Sequence, residues 1–194
     1  SLIVNSHLEQ CIRESEIIFV CVGTPSNSDG SSNLSSLKNT CKDISKFLSK
    51  LNDDKFRIIV IKSTVPPQTI ETQIIPLMQQ NSSKIIGIDF DICINPEFLK
   101  EGSAIDDMLN PHLVVIGANY KKTKNTINLF YNKLYSNSVN IMNTNIVNAE
   151  LIKYTNNSFL ATKISFINNV ANICNEIPGA DVEIIAAAIG MDPR

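Results

Sequence analysis

The stretch from Asn148 to Glu176, NAELIKYTNNSFLATKISFINNVANICNE, holds neither glycine nor proline, and it limits the folds open to this chain more than any other segment. It reads as one helix of about 43 Å at 1.5 Å per residue, with Asn148 able to cap its start. One stripe runs through Lys153, Asn157, Leu160, Ile164, Ile167, Ala171 and Cys174; a second holds Ile152, Phe159, Phe166, Val170 and Ile173. A helix apolar on two sides is expected to be buried between bodies, either two domains or two subunits. The head of the first stripe is polar, because Lys153 and Asn157 lie one turn apart. Two readings follow. Either the helix end is exposed there and the pair is solvated, or the stripe enters a cleft where an ammonium and a carboxamide can hold an anion or a developing oxyanion.

Strand and helix patterns alternate ahead of this helix. After a short helical pattern from His7 to Glu14, Ile17 to Val22 is a continuous apolar run, the mark of a strand covered on both faces. A polar turn-rich loop follows, then a helix capped by Asn33 with Leu37, Cys41, Ile44 and Leu48 on one face. Arg57–Lys62, Asp89–Asn95 and Leu113–Gly117 read as further strands, and Ser138–Asn143 as a more polar fifth, suited to an edge. Helices carrying Ile70, Ile74, Leu77 and Met78, and Ile127, Phe130, Tyr131 and Leu134, fill the connections. Beyond the long helix, Pro178-Gly179 breaks the chain and Asp181 caps a short helix ending near Gly190. The alternation predicts an α/β fold. Residues 1–144 form a Rossmann-like parallel sheet with helices on both faces, and residues 145–194 a helical region. In such sheets ligands bind beyond the carboxyl ends of the strands. Three strands end in Gly23-Thr24-Pro25, Lys62-Ser63-Thr64 and Asn95-Pro96-Glu97. Any one is an ordinary turn; all three on one edge, with a carboxylate, favour a binding edge.

The net charge of −2, with scattered Lys and Arg, argues against a nucleic-acid surface and leaves small anionic ligands open. No apolar run reaches the roughly 18 residues of a membrane span. The five cysteines are widely spaced with no CxxC pair, which disfavours zinc and suits buried inert thiols in a reducing cytosol. No GxGxxG turn is present, and the chain opens where a first βαβ unit should be finishing, so it reads as part of a longer protein.

Five blocks in order, VGTPSNSDGSSNL, IKSTVPP, NPEFLKEGSAI, ELIKYTNNSFLATKISFIN and GADVEIIAAAIGMDPR, resemble the UDP-glucose/GDP-mannose dehydrogenase family nearly end to end. The resemblance implies the latter part of an NAD-binding Rossmann domain and the start of a central helical region bearing a homodimer contact. It implies a cytoplasmic oxidoreductase that serves polysaccharide biosynthesis. The family oxidises the C6 alcohol of a nucleotide-sugar, here most closely UDP-glucose to UDP-glucuronate, in two hydride transfers to NAD through a cysteine thioester. By motif, Glu97 matches a general acid/base, Lys153 an oxyanion-stabilising lysine, Asn157 its substrate- or water-binding neighbour, and Thr64 a threonine bonded to the catalytic water. Val22, Gly23, Thr24, Pro25, Ser26, Ser63 and Glu101 match positions lining the NAD pocket. Phe98, Leu99, Lys100 and Glu101 match a substrate-contacting segment, to which Lys153 and Asn157 also belong.

At residue level, Glu97 at a strand end is expected to be partly desolvated, which raises its pKa, while Lys153 across a cleft opposes that rise. Glu101 has a second reading as a helix-start carboxylate. None of the five cysteines stands in the family's catalytic motif, and Leu113 stands where many members carry arginine, so the chain by itself is expected to be inactive. Two rivals remain: a relative acting on UDP-N-acetylmannosamine or GDP-mannose, and a non-catalytic dimerising paralogue.

Overall fold

The computed structural model describes residues 4–136 and 138–193. Five strands, β1 (Ile17–Val20), β2 (Arg57–Ile61), β3 (Phe90–Ile94), β4 (Val114–Gly117) and β5 (Ile141–Thr144), form one sheet in sequence order. The helices are α1 (Leu8–Glu14), α2 (Ser35–Leu48), α3 (Ile75–Ser82), α4 (Ala104–Leu109), α5 (Lys121–Leu134), α6 (Ile146–Glu176) and α7 (Val182–Gly190), with a π-helical turn at Ile70–Ile74 leading into α3. Among the described residues no helix is long and apolar enough to cross a membrane. The chain divides into two compact units, Ser1–Lys153 and Tyr154–Arg194. That division follows packing, and it falls inside α6; the division at 144/145 follows the end of the strand–helix alternation.

In one respect the sheet departs from the sequence reading. β1, β2 and β3 are parallel, and so are β4 and β5, but β4 runs antiparallel to β3. The link between them is only the short α4 and its flanking loops, and an antiparallel neighbour needs no long crossover. The reversal accounts for how the helices are shared out. Right-handed crossovers that advance in one lateral direction put their helices on one face. When the strand direction flips, the same rule puts the next helix on the other face. Alternate residues obey this. Ile59, Ile61, Ile92 and Val115 join the core under α2 and α3, whereas Ile58, Val60, Cys93 and Ile116 join the core with Ile127 and Tyr131 of α5.

α6 begins two residues earlier than the sequence suggests. Asn145, not Asn148, is the cap: its Oδ1 accepts from Asn148 N–H at 2.8 Å. The helix start lies so close to the end of β4 that a Cβ on Gly117 would fall 2.4 Å from Ala149 Cβ and 2.9 Å from Asn145 O. Only glycine permits that approach. Ile146, Ala149, Glu150 and Lys153 are buried, a spacing that puts all four on one face of the first two turns.

The expectation of burial along the rest of α6 is not met within this chain. Phe159, Leu160, Ile164, Phe166 and Ile173 are all more than half exposed. Ile152, Ile167, Val170, Ala171 and Cys174 of the same two stripes are half-buried. α7 is capped as expected, with Asp181 accepting from Glu183 N–H at 2.8 Å. The cysteine reading also needs correction: Cys41 and Cys93 are buried, but Cys21 lies just past the end of β1 and is exposed.

Candidate active site at the strand ends

The carboxyl ends of β1, β2 and β3 border a hollow of about 450 Å³, also lined by Asp107, Met108, residues 111–114, Tyr131 of α5 and Tyr135 at its end. Because β4 is reversed, its amino end, not its carboxyl end, faces this hollow; hence His112 and Leu113 line it.

Beside the lining residue Glu97, Lys153 Nζ donates to Glu97 Oε1 at 2.9 Å and to the Glu97 carbonyl at 2.5 Å. Glu97 Oε2 accepts from Leu99 N–H at 2.6 Å, and the ammonium lies 5.4 Å from the Phe98 ring centroid. The Lys153 side chain is 7% exposed and that of Glu97 33%. A lysine that deep requires a partner, so the solvated reading does not apply to Lys153. Burial is the largest single influence on the Glu97 carboxyl and pulls its pKa upward. The Leu99 N–H, the Lys153 bond and charge, and the Lys62 charge together outweigh it and hold the carboxyl below its usual range. Both opposing influences expected from the sequence act on Glu97, and its partners outweigh desolvation.

A second ammonium, that of Lys62, lines the hollow. Lys62 Nζ donates to Asn95 Oδ1 at 2.9 Å, the Tyr131 hydroxyl donates to the same oxygen, and Asn95 Nδ2 donates to Val115 O at 2.7 Å. Burial pushes the Lys62 ammonium down and the Tyr131 phenol up. Ser63 Oγ donates to Val22 O at 2.5 Å and Thr24 Oγ1 to Thr64 O at 2.8 Å, stitching the ends of β1 and β2 together.

The sequence-derived candidates divide accordingly. Val22, Gly23, Thr24, Ser63 and Thr64 line the hollow, as do Glu97, Phe98 and Leu99. Lys153 joins them through Glu97. Pro25 and Ser26 do not line it; they belong to a loop closed on itself, with Asn33 N–H donating to Pro25 O and Ser26 bridging Ser32. Lys100 does not line the hollow itself; its N–H donates at 2.8 Å to Asp107, which does, and its ammonium lies 3.4 Å from the same carboxylate. Glu101 is exposed and outside the lining, and Asp107 is the carboxylate that braces this turn, also accepting from Ser103 Oγ at 3.0 Å. Asn157 is exposed, one turn past Lys153. The sequence reading missed Lys62, Asn95 and Tyr131 as a bonded group. The signal was present: an asparagine closing a fully buried strand needs buried partners.

Comparison with known proteins gives one answer. The NAD binding domain of the UDP-glucose/GDP-mannose dehydrogenase family matches residues 1–135, and that family's central domain matches residues 147–194. A UDP-glucose 6-dehydrogenase of Rickettsia bellii is 42% identical over 183 residues, 94% of this chain and 39% of that protein. One from Bacillus subtilis is 39% identical over 193 residues, all of this chain and 39% of that protein. The chain thus spans about two fifths of the length of the curated relatives it matches. Among solved structures, a ternary complex of GDP-mannose dehydrogenase from Pseudomonas aeruginosa superposes with a TM-score of 0.88 at 32% identity, over 97% of this chain and 42% of that one. A UDP-glucose dehydrogenase from Pyrobaculum islandicum superposes with a TM-score of 0.84 at 31% identity, over 97% and 41%. The chain belongs to the UDP-glucose/GDP-mannose dehydrogenase family.

Proposed function

We propose that this chain supplies part of the active site of an NAD-dependent dehydrogenase that oxidises the C6 alcohol of UDP-glucose to the carboxylate of UDP-glucuronate. The overall change consumes one water and two NAD+ and yields two NADH and three protons. The observation that carries the reading is the Glu97–Lys153 pair beside the hollow. A cofactor fits there: Gly23 borders the hollow, and a Cβ built on it meets nothing within 4 Å, so bare backbone is open to a flat ligand. NAD, when bound, accepts the hydride.

The chain's own residues then have distinct tasks. A lysine ammonium has three donors, and two of Lys153's are spent on Glu97; the third is available to an oxyanion. Glu97, held ionised, accepts a proton from water in the hydrolytic step, with Thr64 beside the hollow to orient that water. Asn157, one turn on, contacts the sugar. Glu101, Lys100, Pro25 and Ser26 serve ligand binding only after the loops that carry them rearrange. A homodimer forms through the exposed stripes of α6, which are wide enough to demand a cover.

Calorimetric titration with NAD tests the cofactor assignment. Saturable binding to the chain is expected, weakened at least tenfold by Gly23→Val; no heat at millimolar NAD would sink it. The chain by itself should produce no NADH from UDP-glucose, and steady NADH production would overturn that expectation. The high superposition on a GDP-mannose dehydrogenase favours GDP-mannose as the second substrate to test.

A further inference from the structure

Glu150 is no part of the hollow, yet it shares a face of α6 with Lys153, one turn nearer the helix start. Its side chain is fully enclosed, the residue being 1% exposed. Glu150 Oε2 accepts from Gln68 N–H at 2.7 Å, and Oε1 accepts from Ile70 N–H at 3.0 Å. Both amides lie in the turn that leaves Thr64 through Val65-Pro66-Pro67.

That turn depends on the distant carboxylate. Gln68 is left-handed, with φ at 69°, a conformation that a non-glycine residue holds only when its surroundings impose it. The helical turn from Ile70 opens with unpaired N–H groups, and Thr69 ahead of it supplies no side-chain cap. Glu150 fills that place from α6. Two charge-assisted bonds to fixed backbone amides resist sliding of the helix, because a hydrogen bond is lost within a few tenths of an ångström to an ångström of displacement. Lys153 is three residues further, about 4.5 Å along the same rigid rod, so any shift at Glu150 is passed to its ammonium.

We propose that Glu150 is a positioning residue: by clamping the Gln68–Ile70 turn it fixes the axial register of α6, and so holds Lys153 against Glu97 and ties it to the Thr64 loop. This role rests on the dehydrogenase reading only for its functional meaning.

Glu150→Gln tests it in the full chain. The carboxamide keeps the shape but offers one acceptor to two donors. The Gln68 and Ile70 amides are expected to exchange faster. By NMR, the Glu97 carboxyl should titrate at higher pH than in the parent as Lys153 drifts, while Asp53, held at about 2 by Arg57, stays put. Acetylation of Lys153 should accelerate about tenfold, the scale of one lost charge-assisted bond. Faster amide exchange with an unmoved Glu97 titration and unchanged Lys153 acetylation would overturn the proposal. Glu150→Asp, which keeps the charge but reaches one donor, should fall between the two and carries the test if the Gln variant does not fold. NAD titration separates the two ideas: a chain that binds no NAD, yet shows the Glu97 and Lys153 changes, refutes the dehydrogenase reading and leaves the positioning role standing.

Discussion

The two halves of α6 invert the usual relation between polarity and burial. Its first two turns carry a glutamate and a lysine, both buried. Its later turns carry Phe159, Leu160 and Phe166, exposed by 61%, 51% and 56%. Side-chain character alone does not decide which is covered. The head is enclosed because each polar group has a matching partner: two amides for Glu150, a carboxylate and a carbonyl for Lys153. Burial of such groups is tolerable only when they are paired. In the tail, Phe159, Leu160 and Phe166 keep more than half of their surface exposed, so apolar area there remains to be lost.

The sharpest way to break the contrast is to push the head off its seat. Gly117→Ala places a Cβ within 2.4 Å of Ala149 Cβ and 2.7 Å of Ile94 Cγ2; urea unfolding should show a loss of about 3 kcal/mol, the upper range for overpacking. A loss below about 1 kcal/mol would mean that the helix start can retreat cheaply. Next in size, Lys153→Met leaves Glu97 only its Leu99 N–H. Because Glu97 is partly solvated, the cost should be about 1–2 kcal/mol, with the Glu97 titration moving up in the same sample.

A smaller effect separates the two carboxylates. Glu97 is held below its ordinary 4.5, so its contribution to stability is present above that value and fades as pH falls below it. Glu150 is pushed up, chiefly by burial, so the stability linked to its titration is full below 4.5 and fades as pH rises through its higher folded value. Between pH 3 and 7, the difference in urea midpoint between parent and Glu97→Gln should therefore grow in the parent's favour with rising pH (on the order of tenths of a molar). The difference for Glu150→Gln should run the opposite way. Equal slopes would show that the two groups do not differ as their surroundings indicate. Smallest of all, Phe166→Ser in the tail should cost the dilute chain less than about 0.5 kcal/mol. A cost above about 2 kcal/mol, rising with protein concentration, would reveal that the tail is already covered by a second copy.

Much of this arrangement was legible in the sequence. Apolar runs marked the first four strands, Asp181 and Gly190 bracketed α7, and the Glu97 and Lys153 motifs come together beside the hollow. What stayed hidden depends on distance in space. The reversal of β4 leaves no trace in its own residues, because a buried strand reads the same in either direction. Glu150 looks like an ordinary helix-surface acid until the Gln68 turn is laid beside it. The direction of the Glu97 shift needed the Leu99 N–H and Lys62, neither of which spacing alone brings to it. Pro25 and Ser26 share a block with true lining residues, and only the loop's self-closure separates them.

The turned-around fourth strand has a consequence for how such a protein can diversify. Residues 95–113 join two antiparallel neighbours that pair only at Ile94 and Gly117, so this link carries no crossover and bears little of the sheet's alignment. Lengthening or shortening it would remould one wall of the chamber while the three co-directional strands keep their stagger. Novel ligand preference can therefore be gained at that join without retuning the interior.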